Sequence, residues 1–367
     1  MSRRVILIHV LLCFFMVNGC SRLSEPSAGQ QEPVIGNVIV YKEPGKFCGW
    51  PANNGIWNWG NEILVGFHLN YYKESLEHHS IDKDKPSERV MARSYDGGVS
   101  WKLEKPEAFS STKAKPVWFA GQIDFTDPNF SLTCRSERFY FSYDRGKNWN
   151  GPFKLPLFGQ DDVMARTDYV VDGRYDCHIF LTATKTNGRE GRPFCVRTRD
   201  GGRTMNFVSW IGPEPTGYSI MPSTVRISQS KLVTAIRRYE RGDINRGWIS
   251  IYESNNNGDS WRLLSKAAST GAHGGNPPCM VKLSDGRLCV TYGYRSKPYG
   301  IRAKMSNDNG KTWSEIIHLR EDGRTWDIGY TRTVVRPDGK LVTIYYYTTQ
   351  ENPEQHIAAT IWDPDKI

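Results

Sequence analysis

Long apolar stretches are scarce in this 367-residue chain, whose mean hydropathy is -0.55. The one clear run, Val5 to Met16, follows Arg3 and Arg4 and is too short to cross a bilayer as a stop-transfer helix. A multi-span membrane protein is therefore excluded. The aromatic content of 12% also excludes a disordered chain, because disordered chains carry few side chains that can build a core.

CxxC pairs are absent as well, since none of the eight cysteines has a partner three positions away. This spacing argues against a zinc site, and we expect no metal or other cofactor. Cys177 with Cys195, and Cys279 with Cys289, could bridge neighbouring strands in an oxidising compartment. Buried free thiols fit the same sequence equally well.

The N-terminal segment has the pattern of an export signal. Its apolar run ends in Val-Asn-Gly-Cys20, which resembles the lipobox of bacterial lipoproteins. The resemblance implies a lipoprotein signal peptide at residues 1–19 and a lipid on Cys20 that holds the exported protein on a bacterial membrane, in the periplasm or at the cell surface. An ordinary cleaved signal is the alternative. Residues 20–33 are rich in Ser, Glu, Gln, Pro and Gly and predict a flexible tether, so a single folded domain is expected over 34–367.

The charge balance is positive. The formal net charge of +9 falls to +7 once Arg3 and Arg4 are removed with the signal. A positive chain favours anionic partners, and an exported one is expected to meet acidic glycans rather than nucleic acid. We expect the protein to be a monomer.

A short motif occurs five times. The copies begin at Ser94, Ser142, Thr198, Ser254 and Ser306, at intervals of 48, 56, 56 and 52 residues. Each copy offers an Asp or Asn that can accept hydrogen bonds from turn amides, a Gly that tolerates positive φ, and a Trp or Met that can cover the turn. The regular spacing predicts a repeat architecture, with the motif residues stabilising turns rather than doing chemistry.

This motif is the Asp-box, and over residues 38–363 the chain resembles the sialidase-like superfamily of BNR-repeat proteins. The resemblance implies an all-β fold, a six-bladed β-propeller of four-stranded antiparallel blades. The expected blades are 49–101, 118–150, 166–209, 219–262, 275–314 and 328–363. The last blade lacks an Asp-box, and residues 37–41 are expected to supply its missing strand and so remove free sheet edges.

Two residues match the catalytic positions of sialidases by their sequence neighbours. Asp82, on the polar loop 78–86, stands where sialidases carry their acid/base aspartate. Tyr330, in a Gly-Tyr-Thr phrase ahead of a Pro-Asp-Gly hairpin, resembles their nucleophilic tyrosine. Because a neutral phenol is a weak nucleophile, Tyr330 needs a nearby base and nearby cations.

Most substrate-binding candidates are arginines, because a planar guanidinium can bind a carboxylate through two parallel hydrogen bonds. The resemblance implies that Arg302, shortly before an Asp-box, belongs to the triad that grips the substrate carboxylate. The other candidates for binding the acidic group or the sugar are Arg295, Arg332, Arg237, Arg238, Arg246, Arg192, Glu190, His79, Trp50, Asn53 and Asn54.

Two parts of a sialidase site are not found by motif. Sialidases open their first blade with Arg-Ile-Pro, whereas here the matching stretch, residues 48–52, is Cys-Gly-Trp-Pro-Ala. The glutamate that activates the tyrosine should lie near residues 220–223, where no carboxylate occurs.

The resemblance implies an exo-acting glycoside hydrolase that removes a terminal acidic sugar, such as sialic acid, from a glycan. Two other functions stay open on propellers of this kind. One is a polysaccharide lyase acting on uronic-acid glycans, in which Tyr330 or His79 abstracts a proton. The other is a glycan-binding lipoprotein without catalytic activity.

Overall fold

The computed structural model describes residues 33–110, 114–242 and 246–367. These residues form 24 strands, one α-helix, Glu107–Ser110, and one 3-10 turn, Pro51–Asn53, so the predicted all-β class is confirmed. In the part that the structure describes, no helix is long and apolar enough to span a membrane. The predictions for the signal segment, for Cys20 and for the tether up to residue 32 lie outside the described residues.

The strands are numbered in chain order. Strands β1 to β6 are Val34–Tyr41, Lys46–Gly49, Ile56–Trp59, Glu62–Tyr71, Glu88–Ser94 and Lys102–Glu104. Strands β7 to β13 are Ser131–Ser136, Arg138–Ser142, Asn150–Lys154, Val163–Gly173, Asp176–Thr184, Glu190–Thr198 and Asn206–Trp210. Strands β14 to β19 are Tyr218–Arg226, Leu232–Glu240, Arg246–Ser254, Arg262–Gly271, Cys279–Lys282 and Leu288–Tyr294. Strands β20 to β24 are Gly300–Ser306, Ile317–Arg320, Gly329–Val335, Leu341–Tyr347 and His356–Trp362.

The described strands form five sheets in which every named pair is antiparallel. Three sheets have four strands each, in the orders β14-β15-β16-β17, β18-β19-β20-β21 and β1-β24-β23-β22. A fourth has the order β2-β4-β5-β6, with β3 also paired to β4. The fifth has seven strands, β13-β12-β11-β10-β7-β8-β9, because β7 pairs with β10 at Ser136 to Ala165 and Arg135 to Arg166. Six separate four-stranded sheets were expected. Instead, this pairing joins three strands, β7 to β9, to four, β10 to β13, and the sheet that contains β3 has five strands.

The N-terminal strand pairs with the C-terminal strand. The register of β1 on β24 runs from Val34 opposite Trp362 to Tyr41 opposite Ile357. The expectation that residues 37–41 complete the last sheet is therefore confirmed. Val40 is buried in a core cluster together with Phe67 of β4 and Ile344 of β23, so β1 also packs against the sheet that follows it.

Strands from neighbouring sheets pack against one another at one place, and we call them the inner strands. Strand β10 contacts β14, β14 contacts β18, and β18 contacts β22. The 3-10 turn at Pro51–Asn53 touches both β10 and β22. These inner strands bring the segments that begin at residues 163, 218, 279 and 329 to one place, where polar side chains from different sheets can meet.

The Asp-boxes form turns as predicted. In the fifth copy Ser306 donates to Asp308 Oδ1 at 2.8 Å and accepts from the Gly310 amide at 2.8 Å. The amide and the hydroxyl of Thr312 both donate to the Asp308 carboxylate, at 2.9 and 2.6 Å. Gly310 has φ 89°, in the left-handed region where glycine is the favoured residue. The motif therefore closes a turn, and its carboxylate is engaged by backbone amides and hydroxyls of the turn itself.

Replacing Asp308 by alanine should lower the free energy of unfolding by about 2 kcal/mol at pH 7, because its turn hydrogen bonds are lost together. Burial would raise the pKa of Asp308, but hydrogen bonds from Thr312 and Ser306 outweigh burial and lower that pKa to about 2. Its contribution should therefore be present above pH 4 and be lost as the pH falls towards 2. Urea unfolding at several pH values measures this effect.

Asp308→Asn is the matched control for this experiment. In the fourth copy Asn256 already accepts from the Ser254 hydroxyl at 2.9 Å and from the Ser260 amide at 3.0 Å. The asparagine variant should keep most of the stability at pH 7 and lack the acid-dependent loss. Equal stability of the alanine variant and the wild type would contradict a structural role for the motif.

The cysteines of the described residues are six free, buried thiols. Of the two possibilities left open by the sequence, the structure has the free thiols and not the bridges. Burial raises the pKa of Cys48 and of Cys134 to about 12 each, so these thiols are unreactive at neutral pH.

Candidate functional site

Tyr330 lies at the start of the inner strand β22, in an unusual backbone conformation. Gly329 and Tyr330 have φ values of 104° and 52°, and the pairing of β22 with β23 shifts register between Gly329 and Arg332. A positive φ at a tyrosine costs free energy and persists only where neighbouring groups hold it. Here Asn276 Oδ1 accepts from the Tyr330 amide at 2.8 Å, and a Cβ on Gly329 would come within 2.4 Å of the Asn276 side chain.

Two buried arginines flank the phenol of Tyr330. Arg237 Nη1 donates to the Tyr330 hydroxyl at 3.1 Å, while Arg237 Nη2 donates to the Tyr218 hydroxyl at 3.1 Å. The guanidinium carbons of Arg237 and Arg295 lie 5.6 and 5.5 Å from the centre of the Tyr330 ring. The exposed fractions of Arg237 and Arg295 are only 6% and 2%, and neither forms a salt bridge within the described residues.

These cations decide the acidity of the phenol. Burial alone would raise the pKa of Tyr330, but the positive charges of Arg237, Arg295 and Arg166 outweigh burial and hold that pKa below its usual 10. An unpaired buried guanidinium is unfavourable, so an anion next to Arg237 and Arg295 is stabilised. That anion can be the Tyr330 phenolate or an acidic group of a ligand.

A second network begins three residues before Tyr330, at Asp327, which is 1% exposed. His79 Nδ1 lies 2.6 Å from Asp327 Oδ1, and the Tyr346 hydroxyl donates to the same oxygen at 2.6 Å. The other oxygen accepts from the Ser80 amide at 3.3 Å and from Gln355 Nε2 at 3.4 Å. Arg295 Nη2 donates to the Tyr346 hydroxyl at 2.6 Å, so this network reaches the arginines beside Tyr330.

Aromatic rings surround His79. The centres of the Trp50 and Trp326 rings lie 5.1 and 5.8 Å from the centre of the imidazole. Trp326 is also stacked on His273, with ring centres 5.2 Å apart. Both tryptophans are partly exposed, and the Arg295 guanidinium also lies over the Trp326 ring, 5.2 Å from its centre. Exposed aromatic rings of this kind can contact the apolar face of a sugar ring.

Asp82 has its own local partners. Its carboxylate accepts from the Asp84 amide at 3.2 Å and lies 3.7 Å from Lys85 Nζ. Its amide donates to the Tyr71 carbonyl at 2.8 Å. Among the contacts of the described residues, none joins Asp82 to Tyr330, and its assignment as the acid stays a prediction.

Three further candidates form hydrogen bonds that involve the backbone of this region: Asn53, Asn54 and Arg332. The Asn54 carbonyl accepts from the hydroxyls of Thr133 and Thr167 at 3.0 Å each. The backbone N–H groups of Asn53 and Asn54 donate to the carbonyls of Trp50 and Pro51, at 3.0 Å each. Arg332 Nη2 donates to the carbonyls of Ala52 and Thr167 at 2.6 and 2.7 Å.

The candidates chosen by their spacing from an Asp-box lie on third strands, away from Tyr330. Arg302 on β20 stacks on the Tyr294 ring at 3.6 Å and lies 3.8 Å from Glu321. Arg192 on β12 lies 3.8 Å from Glu214 and 4.0 Å from the centre of the Trp210 ring. Arg246 on β16 is exposed.

Glu190 on β12 has an indirect connection to the site. Its carboxylate pairs with both terminal nitrogens of Arg166, one at 2.8 Å. Arg166 is one of the charges that lower the pKa of Tyr330.

Several residues of the site were missed by sequence reasoning: Arg166, Tyr218, Asn276, Trp326, Asp327 and Tyr346. Asp327 and Trp326 stand in the same polar stretch as Tyr330 and could have been found there. Tyr346 and Asn276 reach the site only through sheet pairing and carry no local signal. Among the residues that the structure describes, no group of three or more His, Cys, Asp or Glu side chains could hold a metal ion.

The sequence matches the BNR repeat-like domain over residues 125–343. The chain belongs to this family. It is thus a sialidase-like BNR-repeat protein, as its Asp-boxes predicted. No curated protein sequence matches the chain.

Several solved structures are similar to this BNR-repeat protein. A Dyadobacter fermentans protein of unknown function has a TM-score of 0.70 and 21% identity, covering 90% of this chain and 98% of its own. The Penicillium chrysogenum alpha-L-arabinanase, solved with arabinobiose, has a TM-score of 0.60 and 14% identity, covering 91% and 99%. The NanB sialidase from Streptococcus pneumoniae has a TM-score of 0.59 and 10% identity, covering 92% and 71%. At these identities the similarity establishes the fold.

Proposed function

We propose that this BNR-repeat protein is an exo-acting glycoside hydrolase that removes a terminal acidic sugar, such as sialic acid, from a glycan. The observation that carries the proposal is the position of Tyr330, hydrogen-bonded to Arg237 and flanked by Arg295. A sialidase and an arabinanase share the fold, which supports glycosidase chemistry on this scaffold.

Tyr330 is the nucleophile in this proposal. Its lowered pKa makes the phenolate more accessible, and Arg237 donates a hydrogen bond to the oxygen that carries the charge. The phenolate attacks the anomeric carbon while the bond to the leaving oxygen breaks and that oxygen receives a proton from an acid. Water then displaces Tyr330 from the sugar and restores the phenolate.

Arg237 and Arg295 hold the acidic group of the sugar. They are buried and meet hydroxyls and backbone carbonyls, whereas no carboxylate of the described residues pairs with them. A substrate carboxylate would supply the missing countercharge through charge-assisted hydrogen bonds. A neutral sugar could not, which is the reason for proposing an acidic one.

The sheets are, in this proposal, the blades of a six-bladed propeller, with the seven-stranded sheet counting as two. The support is the packing of the inner strands β10, β14, β18 and β22 in sequence order, together with the β1–β24 pairing. The lipid anchor on Cys20 and the export of the chain remain parts of the proposal that rest on the sequence alone.

A lyase acting on uronic-acid glycans is the second candidate. No carboxylate of the described residues contacts the Tyr330 hydroxyl, which instead meets Arg237. A phenolate stabilised in this way could also abstract the proton next to a uronate carboxylate, whose charge the arginines would offset.

A panel of acidic glycans separates these functions by their products. Incubation of the purified protein with sialosides and with uronic-acid oligosaccharides should release a saturated acidic monosaccharide, identified by its mass. An unsaturated uronate that absorbs in the near ultraviolet would show the lyase instead. Binding without any product would contradict both enzymatic functions.

A further inference from the structure

His79 and Asp327 form a hydrogen-bonded carboxylate–histidine pair. The Asp327 carboxylate is buried, and the Nδ1 of His79 lies 2.6 Å from it. Because a carboxylate accepts the Nδ1 proton, it fixes the ring and leaves Nε2 for a ligand. The further hydrogen bonds from Tyr346, Ser80 and Gln355 hold the carboxylate in place.

The free side of His79 is accessible. Its side chain is 32% exposed, and Nε2 has no hydrogen-bond partner within the described residues. The centres of the Trp50 and Trp326 rings lie 5.1 and 5.8 Å from the centre of the imidazole. A sugar in contact with either ring would therefore lie close to the imidazole. His178, which is fully buried, differs in this respect, because both of its ring nitrogens are engaged, by Asp172 and by the Asn257 carbonyl.

The pair belongs to the same site as Tyr330. The Tyr346 hydroxyl donates to Asp327, and the Tyr346 ring meets the Tyr330 ring edge-on with centres 5.8 Å apart. Arg295 contacts both tyrosines, through a hydrogen bond to Tyr346 and by facing the ring of Tyr330. One cluster of side chains thus contains a candidate nucleophile and a candidate proton carrier.

Asp82 lacks these features. Its carboxylate is engaged by the Asp84 amide and by Lys85 on its own loop, and its described contacts do not reach Tyr330, Arg237 or Arg295. The acid position predicted from the sialidase resemblance is three residues along the chain from His79. His79 is the side chain of this loop that meets Asp327, whereas the Asp82 carboxylate meets groups of its own loop.

We propose that His79 is the general acid and base of the reaction and that Asp327 is its positioning residue; this inference rests on the proposed hydrolase function. When the glycosidic C–O bond breaks, its electron pair stays on the leaving oxygen, which takes the proton of His79 Nε2. The neutral imidazole, still held by Asp327 through Nδ1, then accepts a proton from the water that attacks the sugar bound to Tyr330. The Tyr330–sugar bond breaks with its electron pair on the phenolate, so both groups return to their initial state.

A pair of substrates that differ only in the leaving group tests this role. The probes are a 4-nitrophenyl glycoside of an acidic sugar, whose leaving group needs no proton, and a disaccharide of the same sugar, whose leaving group does. His79→Asn should lower kcat/KM on the disaccharide by about 100-fold and change it little on the 4-nitrophenyl glycoside. Asp327→Asn should show the same dependence on the leaving group with a smaller loss, because it removes the carboxylate that holds Nδ1 and leaves the imidazole in place.

Three control variants distinguish a specific role of His79 from other causes of lost activity. His78→Asn changes the adjacent, exposed histidine and should behave as wild type. Asp82→Asn tests the alternative acid, and Tyr330→Phe should be inactive on both substrates. Thermal melting of each variant reports folding, and the His79 substitution alone decides the question if Asp327→Asn does not fold.

Wild-type activity of His79→Asn on the disaccharide, or equal losses on the two substrates, would overturn the role of His79. A leaving-group-dependent loss in Asp82→Asn alone would assign the acid to Asp82. In both of these cases an inactive Tyr330→Phe would leave the hydrolase proposal intact. Full activity of Tyr330→Phe, or a wild-type protein that cleaves no acidic glycoside, would contradict the hydrolase proposal itself.

Discussion

Replacing Tyr330 with phenylalanine should reduce turnover of the acidic glycan by at least about 100-fold, the usual scale for losing a positioned catalytic group. The substitution removes only the hydroxyl that accepts a hydrogen bond from Arg237 and is the proposed nucleophile, and it leaves the ring packed against Tyr346. The measurement is kcat on the cleaved member of the glycan panel, with binding of the same glycan followed by calorimetry. Binding should persist because Arg237 and Arg295 are unchanged.

Tyr345→Phe is the matched control for this prediction. Tyr345 lies on β23, the next strand along the chain, and is fully buried. A hydrogen bond of 2.6 Å joins its hydroxyl to Thr360 Oγ1, remote from the arginines of the site. This variant should keep wild-type turnover while losing a comparable hydrogen bond. Near-wild-type turnover of Tyr330→Phe would remove Tyr330 from the chemistry and leave the arginines as a binding site only.

Deleting residues 34–43 should lower the melting temperature by roughly 10 °C, because several kcal/mol of strand pairing and core packing are lost from a domain of this size. The deleted strand β1 supplies all of the pairing on the outer side of β24, and Val40 is part of the core cluster that contains Tyr330. Calorimetry of the deletion variant against the full chain measures the effect. Turnover should fall with stability, because that cluster supports β22.

A deletion of equal length in residues 22–31, which the sequence predicts to be a tether, is the control and should leave the melting temperature unchanged. An unchanged melting temperature after the loss of 34–43 would contradict the account in which β1 completes the last sheet. It would also remove the main support for a closed ring of blades.

The turns and the order of the sheets could be predicted from the sequence because the Asp-box is a local motif. Ser306, Asp308 and Gly310 interact within a few residues, so their pattern determines their structure. The pairing of β1 with β24 followed from counting strands in the last repeat. The joining of β7 to β10 could not be predicted. It rests on two residue pairs, Ser136 with Ala165 and Arg135 with Arg166, and the sequence has no local signal for them.

The site was predicted in part. Tyr330 stood out through its Gly-Tyr-Thr phrase, and Arg237, Arg295 and His79 were among the candidates. Spacing from an Asp-box selected Arg302 and Arg246, but the Asp-box follows the third strand of a sheet, which is two strands away from the inner one. Distance along the chain therefore could not show which arginines reach Tyr330.

The contacts of Asp327 could not be predicted from distance along the chain either. Asp327 and His79 are 248 residues apart and meet only because the first and last sheets are neighbours. Tyr346 joins them from β23, where its sequence neighbours Tyr345 and Tyr347 offer no sign of which hydroxyl faces the site. Such contacts arise from the tertiary fold, and no local pattern in the chain encodes them.

The anomeric configuration of the first sugar released shows whether Tyr330 forms a bond to the sugar. If Tyr330 attacks the anomeric carbon and water then displaces it, the two inversions cancel and the initial product keeps the configuration of the substrate. Proton NMR of the reaction in its first minutes, before the free sugar equilibrates, should show this retained anomer. An inverted anomer, or an unsaturated uronate in its place, would contradict a covalent role for Tyr330.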